Sequence, residues 1–109
     1  MNGTPPRSFA LNVETADQRA TVQVTGEVDL ETSAALRTAL LDLANDGAQL
    51  VTVDLAETDF IDSTGLHALV VAMKQLREHG GDLVLRSPSR NAARVLELSG
   101  LATVVKILN

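Results

Sequence analysis

Leu50-Val-Thr-Val-Asp-Leu55, a helical stretch from about Thr64 to His79, and Leu83-Val-Leu85 follow one another in the middle of the chain. The first piece has few polar positions, as expected of a central strand covered on both faces. In the second, Leu66, Leu69, Val70, Met73 and Leu76 form one apolar stripe at helical spacing, and Gly80-Gly81 closes it. The third is a short buried strand. Strand, helix and strand in that order imply parallel pairing.

The flanking sequence extends the pattern. Thr32 or Ser33 can cap a helix that places Leu36, Leu40 and Leu43 on one face, with Ala39 beside them and Gly47 as its stop. Before it, Phe9-Ala-Leu-Asn-Val13 and Ala20-Thr-Val-Gln-Val-Thr25 alternate apolar with polar residues. Only the short polar segment Glu14–Arg19 separates them, so they form an antiparallel hairpin, with Gly26 ending the second strand. Downstream, Pro88 and Ser89 open a third helix carrying Ala92, Val95 and Leu96, and Gly100 stops it. Thr103 to Leu108 supplies a last strand. The expectation is an α/β fold: a mostly parallel sheet of about five strands, an antiparallel first strand, and covering helices.

The chain has 109 residues, enough for one domain and too few for two. We expect residues 1–7 to be a loose tail without the apolar core of a signal peptide, and residues 8–109 to be the domain. Phe9 and Phe60 are its aromatic residues, so Leu, Val, Ile and Ala must build the core. It has no cysteine, which removes disulfides, thiolate metal sites and cysteine nucleophiles together. A net charge of −5 with scattered basic residues argues against a nucleic-acid partner. The longest apolar run, Ala68–Met73, is too short to span a bilayer, so no membrane insertion is expected. A cytoplasmic domain is the expectation.

Ligand and partner sites in such sheets gather beyond the carboxyl ends of the strands. Asp59-Phe-Ile-Asp62-Ser63-Thr64-Gly65-Leu66 lies there, joining the central strand to its helix. Asp62 or Ser63 would cap free N–H groups at the helix start, and the helix dipole tolerates a phosphate on Ser63. Asp62 is placed to order the Ser63 hydroxyl. Gly65 removes a side chain, which would let another backbone or a nucleotide approach closely. Read from the residues alone, the cluster is also a plain N-terminal cap.

Asp62-Ser63-Thr64-Gly65-Leu66 after an apolar strand resembles the phosphorylation signature of the STAS family, the bacterial anti-sigma factor antagonists. Gly26-Glu27-Val28-Asp29 resembles that family's early Gly-Glu-Leu-Asp turn. Gly80-Gly81-Asp82-Leu83 resembles its step into a strand, and Val95-Leu-Glu-Leu-Ser-Gly-Leu101 its last helix and turn. The likeness runs from about Phe9 to Leu108 and keeps the family's order. Thr64 stands where many relatives carry a second serine, His67 where they often carry a small residue, and Val28 where they have Leu.

The resemblance implies a binding switch rather than an enzyme. The unphosphorylated protein would bind an anti-sigma factor that is also a serine kinase, and so release a sigma factor. Phosphorylation on Ser63, with Thr64 as the alternative acceptor, would end that binding, and a serine phosphatase would reset it. Asp29, Asp62, Ser63, Thr64, Gly65 and Leu66 would contact the partner. The kinase brings nucleotide and metal, so no cofactor is expected, and the domain would be a monomer or weak dimer. The alternative is a STAS scaffold subunit of a transport or signalling complex, with no modified serine.

Other readings fare worse. A serine hydrolase would need Gly-x-Ser-x-Gly, yet Ile61 stands two residues before Ser63. No phosphate-binding Gly-x-x-x-x-Gly-Lys-Ser/Thr run occurs. His67 and His79 are expected in surface or capping roles rather than as metal ligands. Asp54, Glu57, Asp59 and Asp62 are expected to form a solvated acidic rim shaping the partner face, and Arg37 to lie on a solvated helix face.

Overall fold

The strand β2 (Arg19–Val28) organises the sheet, because it pairs with three others. The computed structural model describes residues 7–109; residues 1–6 of the expected tail lie outside it. β1 (Ala10–Ala16) runs antiparallel to β2, in register from Ala10 opposite Thr25 to Ala16 opposite Arg19. β3 (Leu50–Asp54) lies parallel on the other side, and β5 (Asp82–Arg86) and β6 (Lys106–Leu108) continue the order β1-β2-β3-β5-β6. Five strands, the first antiparallel and the rest parallel, were expected from sequence; their order in the sheet is set by the fold.

A sixth strand was not legible. β4 (Thr58–Ile61) pairs parallel with the end of β2, within the segment read as a loop. It is four residues long and alternates poorly, so it carries no period-2 signal. Thr58 anchors it from a buried position, donating its hydroxyl to the Val24 carbonyl at 2.8 Å. Gly26 does not end β2 as expected. The strand shifts register between Gly26 and Glu27 and changes partner from β3 to β4. Gly26 sits at φ +92°, and a Cβ there would meet the Arg7 carbonyl at 2.7 Å. Only glycine fits that bulge.

The helices are α1 (Ser33–Asn45), α2 (Ser63–Glu78) and α3 (Arg90–Ser99), and a 3₁₀ turn (Leu101–Thr103) follows α3. That turn occupies the start of the segment expected as the last strand, so β6 is shorter. Leu36 and Leu40 of α1 and Leu69, Ala72, Met73 and Leu76 of α2 enter one core with Val22, Val24, Val51, Val53, Leu83 and Leu85. β3 was expected to be covered on both faces. Val51 and Val53 are fully buried, whereas Leu50, Thr52 and Asp54 are half-buried. The main core therefore lies on one face of the strand.

Arg7 is not loose either. Its guanidinium pairs with Asp59, with Nε to Oδ2 at 3.2 Å, and with Glu57. This holds the chain ahead of β1 across the β4 edge.

Candidate functional site

α1 and α2 both begin at the end of the sheet where β2 and β4 finish. The Asp62 side chain caps α2: its Oδ1 accepts from the N–H of Thr64 at 2.9 Å and of Gly65 at 3.3 Å, and from the Thr64 hydroxyl. The cap is therefore Asp62 and not Ser63. The hydrogen bond from Thr64 Oγ1, helped by the two N–H groups, holds Asp62 below the ordinary carboxylate pKa against a contrary push from burial. The carboxylate stays charged near neutral pH.

That arrangement separates the two candidate hydroxyls. Thr64 is half-buried and its hydroxyl is committed to Asp62. Ser63 is the first residue of the helix, exposed, and its hydroxyl makes no hydrogen bond among the described residues. Asp62 does not order it, contrary to expectation, because the carboxylate is turned to Thr64 and the backbone. Gly65 is buried and faces inward. A Cβ there would stand 2.6 Å from both Ile61 Cγ1 and Val28 Cγ1. Its missing side chain lets α2 settle on β2 and β4, so of the two expected roles the structure shows close packing within the chain.

Ser63 and His67, one helical turn apart, form a ridge between two grooves. One groove, about 410 Å³, lies between α2 and α1 and is lined by Leu30, Ser33, Arg37, Ser63, Thr64 and His67 among others. The other, about 320 Å³, lies toward the end of α3, with Ser63, Leu66, His67, Val70, Leu101 and Val104 in its walls. Leu30 is 76% exposed and Val104 51%. The exposed serine is thus flanked on both sides by apolar surface. Leu30 escaped the sequence reading, Arg37 was read only as part of a solvated helix face, and Val104 as part of the last strand. A leucine between Asp29 and Glu31 in a polar turn was the one available signal for Leu30.

Asp29 does not reach out to either groove. Its Oδ1 accepts from the N–H of Glu31 at 2.9 Å and of Thr32 at 3.1 Å, while Thr32 Oγ1 donates to the Glu27 carbonyl at 2.9 Å. The residue shapes the turn that presents Leu30. The expected acidic rim is largely neutralised: Arg86 donates to Asp54 Oδ2 at 2.8 Å, and Arg7 holds Glu57 and Asp59. The Arg7 hydrogen bond lowers the Asp59 pKa from its usual value. His79 closes α2, with Nδ1 3.0 Å from the Gln75 carbonyl, while His67 stays exposed on the ridge.

A family model for the STAS domain matches residues 10–109. The chain belongs to the STAS family. Its sequence is 32% identical over 99 residues to the anti-sigma-B factor antagonist of Bacillus subtilis (strain 168), covering 89% of this chain and 90% of that protein. Against the anti-sigma-B factor antagonist of Listeria monocytogenes serovar 1/2a the figures are 35% over 86 residues, covering 79% and 75%. An anti-sigma factor antagonist from Mycobacterium paratuberculosis superposes with a TM-score of 0.83 at 27% identity, over 93% of this chain and 86% of that one. Unphosphorylated SpoIIAA, an anti-sigma factor antagonist, shares the fold at a TM-score of 0.80 and 22% identity, over 92% and 89%. Within this STAS domain, the exposed serine at the start of α2 is the feature on which a switch can be built.

Proposed function

We propose that this STAS protein is an anti-sigma factor antagonist switched by phosphorylation of Ser63. The observation that carries this reading is the exposed, uncommitted Ser63 hydroxyl on a ridge between two partly apolar grooves, beside a Thr64 whose hydroxyl is engaged. The names of the relatives support it. In the unphosphorylated state the face around Leu30, Ser63, Leu66 and Val104 binds an anti-sigma factor of the serine-kinase type and frees its sigma factor. Asp62, Thr64 and Gly65 serve that face by fixing the start of α2, and Asp29 by shaping the turn under Leu30. The kinase supplies nucleotide and metal, a serine phosphatase reverses the modification, and the cycle runs in the cytoplasm.

The physics needs no refolding. A phosphate adds about −1.5 to −2 charges beside Asp62, which is already ionised. Burying that charge in a partner interface costs like-charge repulsion and desolvation. A coupling of about 1–3 kcal/mol changes affinity about 5–150-fold, enough to exchange partners.

The test is a pull-down from the native lysate with Ser63→Ala and Ser63→Asp baits, compared by mass spectrometry. A kinase-type ATPase retained by Ser63→Ala and lost by Ser63→Asp is the expected result. Equal partners on both baits would overturn the switch and leave a scaffold subunit.

A further inference from the structure

A phosphate on Ser63 would find two of the donors that a helix start usually offers already taken. Asp62 Oδ1 already takes the N–H groups of Thr64 and Gly65, and its own charge stands next to the modified residue. The phosphate must be met by other groups, and the α1–α2 groove holds two. Arg37 and His67 line it together with Ser63. His67 follows Ser63 by one turn on the same helix, which brings their Cβ atoms to about 5–6 Å. Arg37 follows Ser33 by one turn on α1, and Ser33 and Ser63 are each the first residue of their helix. The two helices thus set a serine–base pair on each wall of the same groove.

Two bases line the groove, against the one carboxylate, Asp62, that stands behind Thr64. No carboxylate lines the groove itself. Arg37 is exposed and takes part in no salt bridge among the described residues, where the salt-bridged arginines are Arg7, Arg77 and Arg86. His67 is exposed as well and lines the groove.

We propose that phosphoserine at position 63 is held within the chain by Arg37 and His67, bridging α2 to α1. The inference rests on the reading of Ser63 as the phosphorylated residue. The guanidinium offers paired N–H donors matched to two phosphate oxygens, and the imidazole offers an N–H donor in either protonation state. Held in this way, the phosphate occupies the part of the groove between α1 and α2 beside Leu30. Phosphorylation then removes a docking surface in addition to adding charge.

The experiment uses the full chain with phosphoserine incorporated at position 63 during translation, followed by ³¹P NMR against pH. The second ionisation of a free phosphoserine lies at about 6. In the otherwise unaltered chain its midpoint should lie about half a unit or more below that of the Arg37→Gln/His67→Gln double variant, with each single variant between the two. Arg90→Gln, an exposed change on α3, should leave it in place. The Arg37 Nε–H resonance should move with the phosphate titration. Equal midpoints with and without Arg37 and His67, or an equal shift from Arg90→Gln, would overturn the clamp. No kinase takes part, so the clamp is judged separately from the assignment of Ser63 as a kinase target. A chain that no anti-sigma kinase phosphorylates would sink that assignment and leave the midpoint result standing.

Discussion

Both α1 and α2 begin beneath an aspartate that gathers the loose N–H groups of its turn, Asp29 those of Glu31 and Thr32, Asp62 those of Thr64 and Gly65. Each helix then opens with a serine. Ser33 is buried, at 9% exposure, and Ser63 is exposed. Two positions further on the relation reverses: Ala35 is exposed and Gly65 is buried. The local chemistry is nearly the same, but the helices are turned differently about their axes. α2 presses Gly65 onto Val28 and Ile61, which swings Ser63 outward; α1 turns Ser33 inward. A hydroxyl at a helix start becomes a modification site only when packing faces it to solvent.

The largest expected effect comes from attacking that packing. Gly65→Val forces a side chain against Val28 and Ile61 and should cost about 1–3 kcal/mol, lowering the midpoint of a thermal melt by several degrees. The matching change on α1, Ala35→Val, meets only helix propensity and should cost about 0.5 kcal/mol. Equal losses at the two positions would show that the helices do not differ in the way described.

Removing the α2 cap comes next. Asp62→Ala should lose about 0.5–2 kcal/mol in urea denaturation at pH 7. The folded-state pKa of Asp62 is lowered, so its contribution is fully present above the unfolded value of about 3.9 and is lost as pH falls through the folded value. The gap between the native chain and Asp62→Ala should therefore close in strong acid. A gap unchanged down to pH 2 would mean that the charge of the carboxylate contributes nothing.

Asp29→Ala tests the other helix start and should lose about 0.5–1.5 kcal/mol, because two backbone donors lose their acceptor at a partly solvated turn. It should also weaken partner capture by loosening Leu30, and a pull-down with full capture would argue against that role. The smallest change is expected at Ser63 itself. Ser63→Ala should move stability by no more than about 0.5 kcal/mol, since the hydroxyl is exposed and caps nothing. A loss above about 1 kcal/mol in the same urea series would reassign the residue to structure.

Several parts of this arrangement were readable from the chain. The apolar stripe of α2, its stop near Gly80, and the strands on either side follow from periodicities that need only neighbouring residues. The observed helix runs Ser63–Glu78 against an expected Thr64–His79. β4 was not readable, because Thr58-Asp-Phe-Ile61 is short and is held by β2 rather than by its own pattern. The acidic stretch misled for a related reason. Arg7 and Asp59 lie 52 residues apart, and Asp54 and Arg86 lie 32 apart, so their pairing exists only after folding. Leu30 carried no signal beyond its polar turn, and Val104 read as part of the last strand, until the two grooves were assembled around Ser63.

The sequence by itself determined the succession of the three helices and of every strand but β4, the family, and the serine worth watching, because capping and hydrophobic period are written in residues a few positions apart. Tertiary structure alone decided that Ser63 faces out while Ser33 faces in, that Thr64 is tied to Asp62, and that Arg37 and His67 share a groove with the serine. Those facts depend on how each helix is rotated over the sheet. That rotation is set by contacts such as Gly65 with Val28, between residues far apart along the chain, and no local pattern records them.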